Sequence, residues 1–258
     1  MDELLDISSV AEYLGVSERT VYDRVRSGEL AATRVGRLWR VKRADLESWL
    51  DARRTGPATA RADDGAGENR SAPTRAELEA ALEGLDDQLE RRLMFVGMLS
   101  RAVTGLRWPA PVVVGGNAVE FYTGGDYATV DIDLVGATEP LETVLGGWGF
   151  PRQGRHWVDS ALGLVVEAPS SRLGEQEQAH VARIAIAGES VLVLGIEDLI
   201  VDRLNAATHW NDEESLLWAE ALVRSVADLD LAYLQQRAAD GDVAAALETI
   251  LTAAGGSQ

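Results

Sequence analysis

Cysteine is absent from the 258 residues. That removes disulfides, thiol nucleophiles, iron–sulfur clusters and Cys-ligated zinc at one stroke. Histidine is scarce: His156, His180 and His209 are the only three, and none stands in H-E-x-x-H spacing. A histidine-built metal site is therefore not expected, and all three read as structural or surface residues. Long apolar runs are missing too. A membrane helix needs roughly 18 apolar residues, and the stretch from Val191 to Val201 is broken by Glu197 and Asp198. The opening MDELLDISS has neither a basic region nor an apolar one, so no secretory signal is expected. The expected location is cytoplasmic, with no membrane contact. No internal repeat is found.

Positive charge is also in short supply, with 24 Lys+Arg against 42 Asp+Glu and a net charge of -18. The shortage is uneven. Residues 1–54 hold ten basic and ten acidic side chains, so residues 55–258 carry the whole -18, as 14 minus 32. Within the neutral part, Arg34 to Arg43 (RVGRLWRVKR) holds five cations and no anion. Between the two parts, Thr55 to Pro73 (TGPATARADDGAGENRSAP) has no large apolar side chain and reads as a flexible linker. The expected organisation is a domain over 1–54, a linker over 55–73 and a second domain over 74–258. The overall class is α+β.

In the first domain, Ser9 and Glu12 form a capping-box pattern that predicts a helix over Val10–Leu14. Gly15 ends it, and Ser17 opens a second helix to about Ser27 with Val21 and Val25 as its apolar pair. Leu30–Val35 and Leu38–Val41 then read as a hairpin about Gly36 and Arg37, followed by a closing helix over Arg43–Arg53. Trp39 and Trp49 are expected in the core. V-A-x-x-L-G-V-S, R-T-V-Y, S-G-E-L, G-R-x-W-R and D-L-x-x-W-L follow in order. Together they resemble the excisionase-type, MerR-like winged helix-turn-helix family. The resemblance implies that the second helix is a recognition helix, with Arg19, Thr20, Tyr22 and Arg24 near the major groove of an operator. It also implies that Arg34, Arg37 and Arg40 on the wing meet phosphates or a minor groove.

From Thr74, with Glu77 completing another capping box, Leu78, Leu82, Leu85, Leu89, Leu93, Val96, Leu99, Val103 and Leu106 recur at spacings of three and four. One leading helix over 74–106 is predicted. Its first half is a narrow stripe, so a homodimer seam through 74–93 is one expectation and packing onto its own domain the other.

Next comes a short strand, Pro111–Val114, then Gly115-Gly116 and a helix over Asn117–Tyr122. Two glycines at a helix N-terminus let backbone amides approach a phosphate. Fifteen residues on, Asp131 and Asp133 stand two apart on a strand and project together, while Val130, Ile132 and Leu134 are expected to face the core. Side-by-side carboxylates repel unless a cation lies between them. Glu167 is a lone carboxylate in a later apolar strand. Trp148, Trp157, Trp210 and Trp218 read as core aromatics, with Trp210 alternatively walling a cleft. Segment 196–258 reads as a helical C-terminal part.

V-V-G-G-N-A-V-E-F-Y-T followed by T-V-D-I-D-L-V resembles the polymerase-β-type nucleotidyltransferase superfamily, nearest to its small toxin–antitoxin and abortive-infection members. The resemblance covers about 95–225 and implies a mixed sheet flanked by helices. It implies that Gly115, Gly116, Asn117 and Arg203 hold an NTP, and that Asp131, Asp133 and Glu167 bind two Mg²⁺ ions. Glu167 would also activate an acceptor hydroxyl. A salt bridge from Arg203 to Asp198 or Asp202 is the structural alternative. The expected protein is a DNA-binding transferase with a cognate toxin or antitoxin partner. The rival expectation is a transcriptional regulator whose second domain is non-catalytic and binds a nucleotide or a partner protein.

Overall fold

The computed structural model describes residues 4–14, 20, 21, 24, 25, 30–35, 38–43, 46, 49, 71–125, 127–210, 212–226 and 228–255. The chain divides into two compact units, Met1–Thr59 and Ala60–Gln258. The first holds β1 (Leu4–Leu5), α1 (Ile7–Leu14), β2 (Thr33–Val35) and β3 (Leu38–Lys42), with a three-stranded sheet ordered β1-β3-β2. Helix α1 starts three residues earlier than expected. Asp6 is the reason: its carboxylate accepts the Ser9 amide at 2.8 Å, the N-terminal capping role that Ser9 was expected to play. Val10, Val21, Val25, Leu30, Val41 and Leu46 form the core, with Trp39 and Trp49 packed against it.

Most of the expected linker lies outside the described residues. Its last three residues belong to the second unit: Pro73 is buried and accepts the Trp148 indole N–H at 2.9 Å, and Ser71 accepts Arg101 at 2.7 Å. The predicted leading helix is two helices, α2 (Arg75–Leu82) and α3 (Gln88–Gly105). The Thr74–Glu77 capping box opens α2. Gly84 then takes φ 78°, and Asp87 caps α3 by accepting the Glu90 amide at 2.8 Å. The apolar stripe runs across this break into the core of its own unit. Leu78, Leu82 and Leu93 are buried and Leu85 and Leu89 pack beside them, which occupies the stripe proposed as a dimer seam.

The rest of the unit is β4 (Val112–Val113), α4 (Gly115–Tyr122), β5 (Asp131–Val135), α5 (Thr138–Gly147), β6 (Arg152–Gln153), β7 (His156–Asp159), β8 (Leu164–Ser170), α6 (Glu175–Ala179), β9 (Ala182–Ile186), β10 (Glu189–Val193), and helices α7 (Ile196–Trp210), α8 (Glu213–Ser225), α9 (Leu231–Asp240) and α10 (Ala244–Gly255). The seven strands form one mixed sheet, ordered β6-β7-β8-β5-β4-β10-β9. Strand alternation sorts its two faces. Ile132, Leu134, Leu164, Val166 and Trp157 are buried in one core with Phe95 and Leu99 of α3. Each such side chain contributes roughly 1.5–3 kcal/mol by leaving water. Val130 lies just outside β5 and is 74% exposed, so it does not share the core face as expected.

The C-terminal helices are anchored by polar contacts as well. Buried Asp198 accepts the Tyr233 hydroxyl at 2.8 Å and Arg237 Nε at 2.6 Å, which binds α7 to α9. Among the described residues, no helix is long and apolar enough to cross a membrane.

Candidate functional site

On the sheet face opposite the core, β5 presents Asp131 and Asp133. Its parallel neighbour β8 sets Glu167 in register with Asp133. On the other side of β8, His156 is the antiparallel partner of Glu167. Asp133, Glu167 and His156 therefore form one row across three adjacent strands. Glu167 has only 12% of its side chain exposed, and each of its oxygens has a neighbour: His156 Nε2 at 3.1 Å and the Arg155 guanidinium Nε at 3.3 Å.

The first glycine of the pair is explained by this row, the second by Tyr127 and Thr129 beside it. Gly115 takes φ 57°, and a Cβ there would collide with the Asp133 carboxylate. A Cβ on Gly116 would lie 2.9 Å from the Tyr127 ring and 3.0 Å from Thr129. The Gly116 amide, expected to meet a phosphate, donates to Asp133. Asp133 is pulled two ways. Burial foremost, then the charges of Glu167 and Asp131, push its carboxyl above the ordinary range; the Gly116 amide and Arg203 oppose this. Arg203 of α7 sits within electrostatic reach of Asp133 while donating to Asp202 at 2.6 Å. Of the two salt bridges anticipated for it, the Asp202 one forms, and Asp198 turns to Tyr233 and Arg237.

Asn117 is placed differently from its expected role at a phosphate. It is buried: its Oδ1 accepts Arg92 Nε at 2.8 Å, and its Nδ2 donates to the Asp131 carbonyl. Its amide thus fixes the β5 backbone. Arg92 also pairs with Glu120 at 2.5 Å, and both are buried. Sequence reasoning missed this pair, although one charge within each of two apolar helix faces was the signal for it. Beside the row, Tyr127 meets Trp218 edge-on at 4.6 Å. Trp148 and Trp157 are core residues as expected, whereas Trp210 is 75% exposed.

Among the described residues, no three His, Asp or Glu side chains gather into a ready-made metal cage. The donor set nevertheless suits a hard divalent cation. It is all oxygen, two carboxylates stand on one strand face, and their mutual repulsion is registered on Asp133. Magnesium commonly takes one or two carboxylates and completes its shell with water and substrate phosphate.

In the first unit, Thr20 and Arg24 are exposed, four apart on one helical face, while Val21 and Val25 beside them are buried. The hairpin pairs Arg34 with Trp39 and Thr33 with Arg40. Arg40 is half-buried and donates to the Trp39 carbonyl at 3.0 Å. Residues 4–54 match the helix-turn-helix domain family. No curated protein matches the chain. The helix-turn-helix match supports a DNA-binding role for this unit. Of the residues expected near the major groove, Thr20 and Arg24 are exposed. Arg34 is on the hairpin; Arg19, Tyr22 and Arg37 lie outside the described residues.

Proposed function

We propose that the protein is a DNA-binding nucleotidyltransferase, in which the helix-turn-helix domain docks an operator and the second unit transfers NMP from an NTP to an acceptor hydroxyl. The observation that carries this reading is the carboxylate face: Asp131 and Asp133 on β5, with Glu167 in register on β8. Asp131 and Asp133 would hold Mg²⁺, and Glu167 would join them for a second ion once released from Arg155 and His156. Bound there, magnesium supplies neutralisation of the triphosphate and of the oxygens that gain charge during transfer. Arg203 holds phosphate charge beside Asp133. Asn117 and Arg92 keep the β5 backbone in place. Glu167 is the base available to take the proton from the acceptor hydroxyl. Self-regulation in a toxin–antitoxin or phage-defence pair fits the joining of an operator reader to such an enzyme.

The pairing of Glu167 with Arg155 and His156 favours a second reading, a transcriptional regulator whose second unit binds a nucleotide or partner protein without turnover. Incubation with each labelled NTP, Mg²⁺ and cell lysate separates the two. Label transfer that disappears in Asp131→Asn and Asp133→Asn supports the enzyme. No transfer from any NTP, with nucleotide binding retained in both variants, rejects it in favour of the regulator.

A further inference from the structure

The carboxylate row has a cation near each end, Arg203 beside Asp133 and Arg155 beside Glu167. We infer that Arg155 is a polyphosphate-binding residue of this site, acting opposite Arg203. This rests on the nucleotidyltransferase reading and adds to it a second phosphate ligand and the direction in which the phosphate chain lies.

Arg155 occupies the turn between β6 and β7, where Gly154 takes φ 66° and the chain reverses into His156. Its side chain is 75% exposed, yet Nε stands 3.3 Å from Oε1 of the nearly buried Glu167. This closest approach of the pair is longer than the roughly 2.7–2.9 Å of a firm charge-assisted hydrogen bond. Arg203, by comparison, gives two N–H groups to Asp202, at 3.2 and 2.6 Å. A guanidinium three-quarters exposed and held at that distance can turn its planar fork of donors to an incoming anion. That fork matches phosphate oxygens two at a time.

The site needs such a group. Residues 55–258 carry 14 basic against 32 acidic side chains, and three of the carboxylates stand on the face where a triphosphate must lie. A phosphate that takes Arg155 from Glu167 exchanges one ion pair for a stronger, bidentate one and frees Oε1 of Glu167, while His156 stays on Oε2. No bond is made or broken in this exchange. Because Asp133, Glu167 and His156 run across β5, β8 and β7 in order, the phosphate chain crosses the strands from Arg203 towards Arg155.

Calorimetric titration of the full chain with ATP, GTP, CTP and UTP in Mg²⁺, and with the corresponding monophosphates, tests this. Arg155→Ala should weaken binding of the preferred triphosphate about tenfold and leave the monophosphate unchanged, with Arg155→Lys in between. The melting temperature should not move, since the side chain is largely in solvent. Equal triphosphate affinity in wild type and Arg155→Ala overturns the assignment while the transferase reading stands. An equal loss for monophosphate and triphosphate overturns it as well. Absence of wild-type affinity for all four triphosphates overturns the assignment and the transferase reading together.

Discussion

Arg92 in α3 donates to Asn117 in α4 across 2.8 Å, and both residues are buried. Through Asn117 the contact continues to the carbonyl of Asp131, so a guanidinium in the core sets the strand that displays the carboxylates.

The first prediction concerns the same guanidinium. Arg92→Leu leaves Glu120 buried without its counter-charge and should cost about 3–5 kcal/mol. The double variant Arg92→Leu/Glu120→Leu should lose much less, because no lone charge is left inside. Urea denaturation of the full chain measures both. A double variant as unstable as the single one would show that the charge pair is not the cause.

Gly115→Ala meets both a left-handed backbone and the Asp133 carboxylate. It should destabilise by more than about 1 kcal/mol. Gly147→Ala is the control: it ends α5, and an added Cβ touches nothing within 4 Å. That change should be neutral, or stabilising by up to about 1 kcal/mol. Thermal melts compare the two, and equal midpoints would contradict the claim that the glycine is required by Asp133.

Asp133 gives a pH dependence with a definite sign. Its folded carboxyl titrates above the ordinary 3.8, so above the folded value it is ionised in both states and its full destabilising effect is present. As pH falls from the folded value towards 3.8, the folded state binds more protons than the unfolded one and the penalty disappears. Asp133→Asn should therefore raise the melting temperature at neutral pH, with the gain fading on acidification. A gain that is constant across pH would assign it to packing instead of charge.

For the helix-turn-helix domain, the test is a gel shift on DNA upstream of the protein's own gene. Arg24→Ala and Arg40→Ala should weaken binding, and each should reduce the salt slope by about 1 if the side chain meets a phosphate. Arg24 is exposed, whereas Arg40 is half-buried, so the Arg24 effect should be larger. The reverse order would place the hairpin, not the helix, closest to the DNA.

Periodicity made much of this architecture legible. Val21 and Val25, the Thr74–Glu77 capping box, and the alternation that buries Ile132 and Leu134 behind Asp131 and Asp133 are local patterns, and local patterns survive folding. Failures occurred where a distant partner decides. Gly84 splits a stripe whose leucines keep their spacing on both sides of the break. Asn117 follows the glycines as a phosphate ligand would, but Arg92, 25 residues earlier, captures its side chain. His156 looked incidental because its neighbours in sequence do not reveal that β7 pairs with β8 in a register that sets it against Glu167. Pairing register is non-local information, and no single window of residues contains it.

Strand β8 carries one further consequence. Glu167 and Val166 differ by a single position, yet one faces the carboxylates and the other is buried in the core. Insertion or deletion of one residue upstream in this strand would exchange them, driving a charge into the hydrocarbon interior and a valine into the candidate site. Chemistry and folding are thus indexed by the same count along the chain. Point substitution can retune this face, but a one-residue indel within β8 would lose the site and the sheet in a single step.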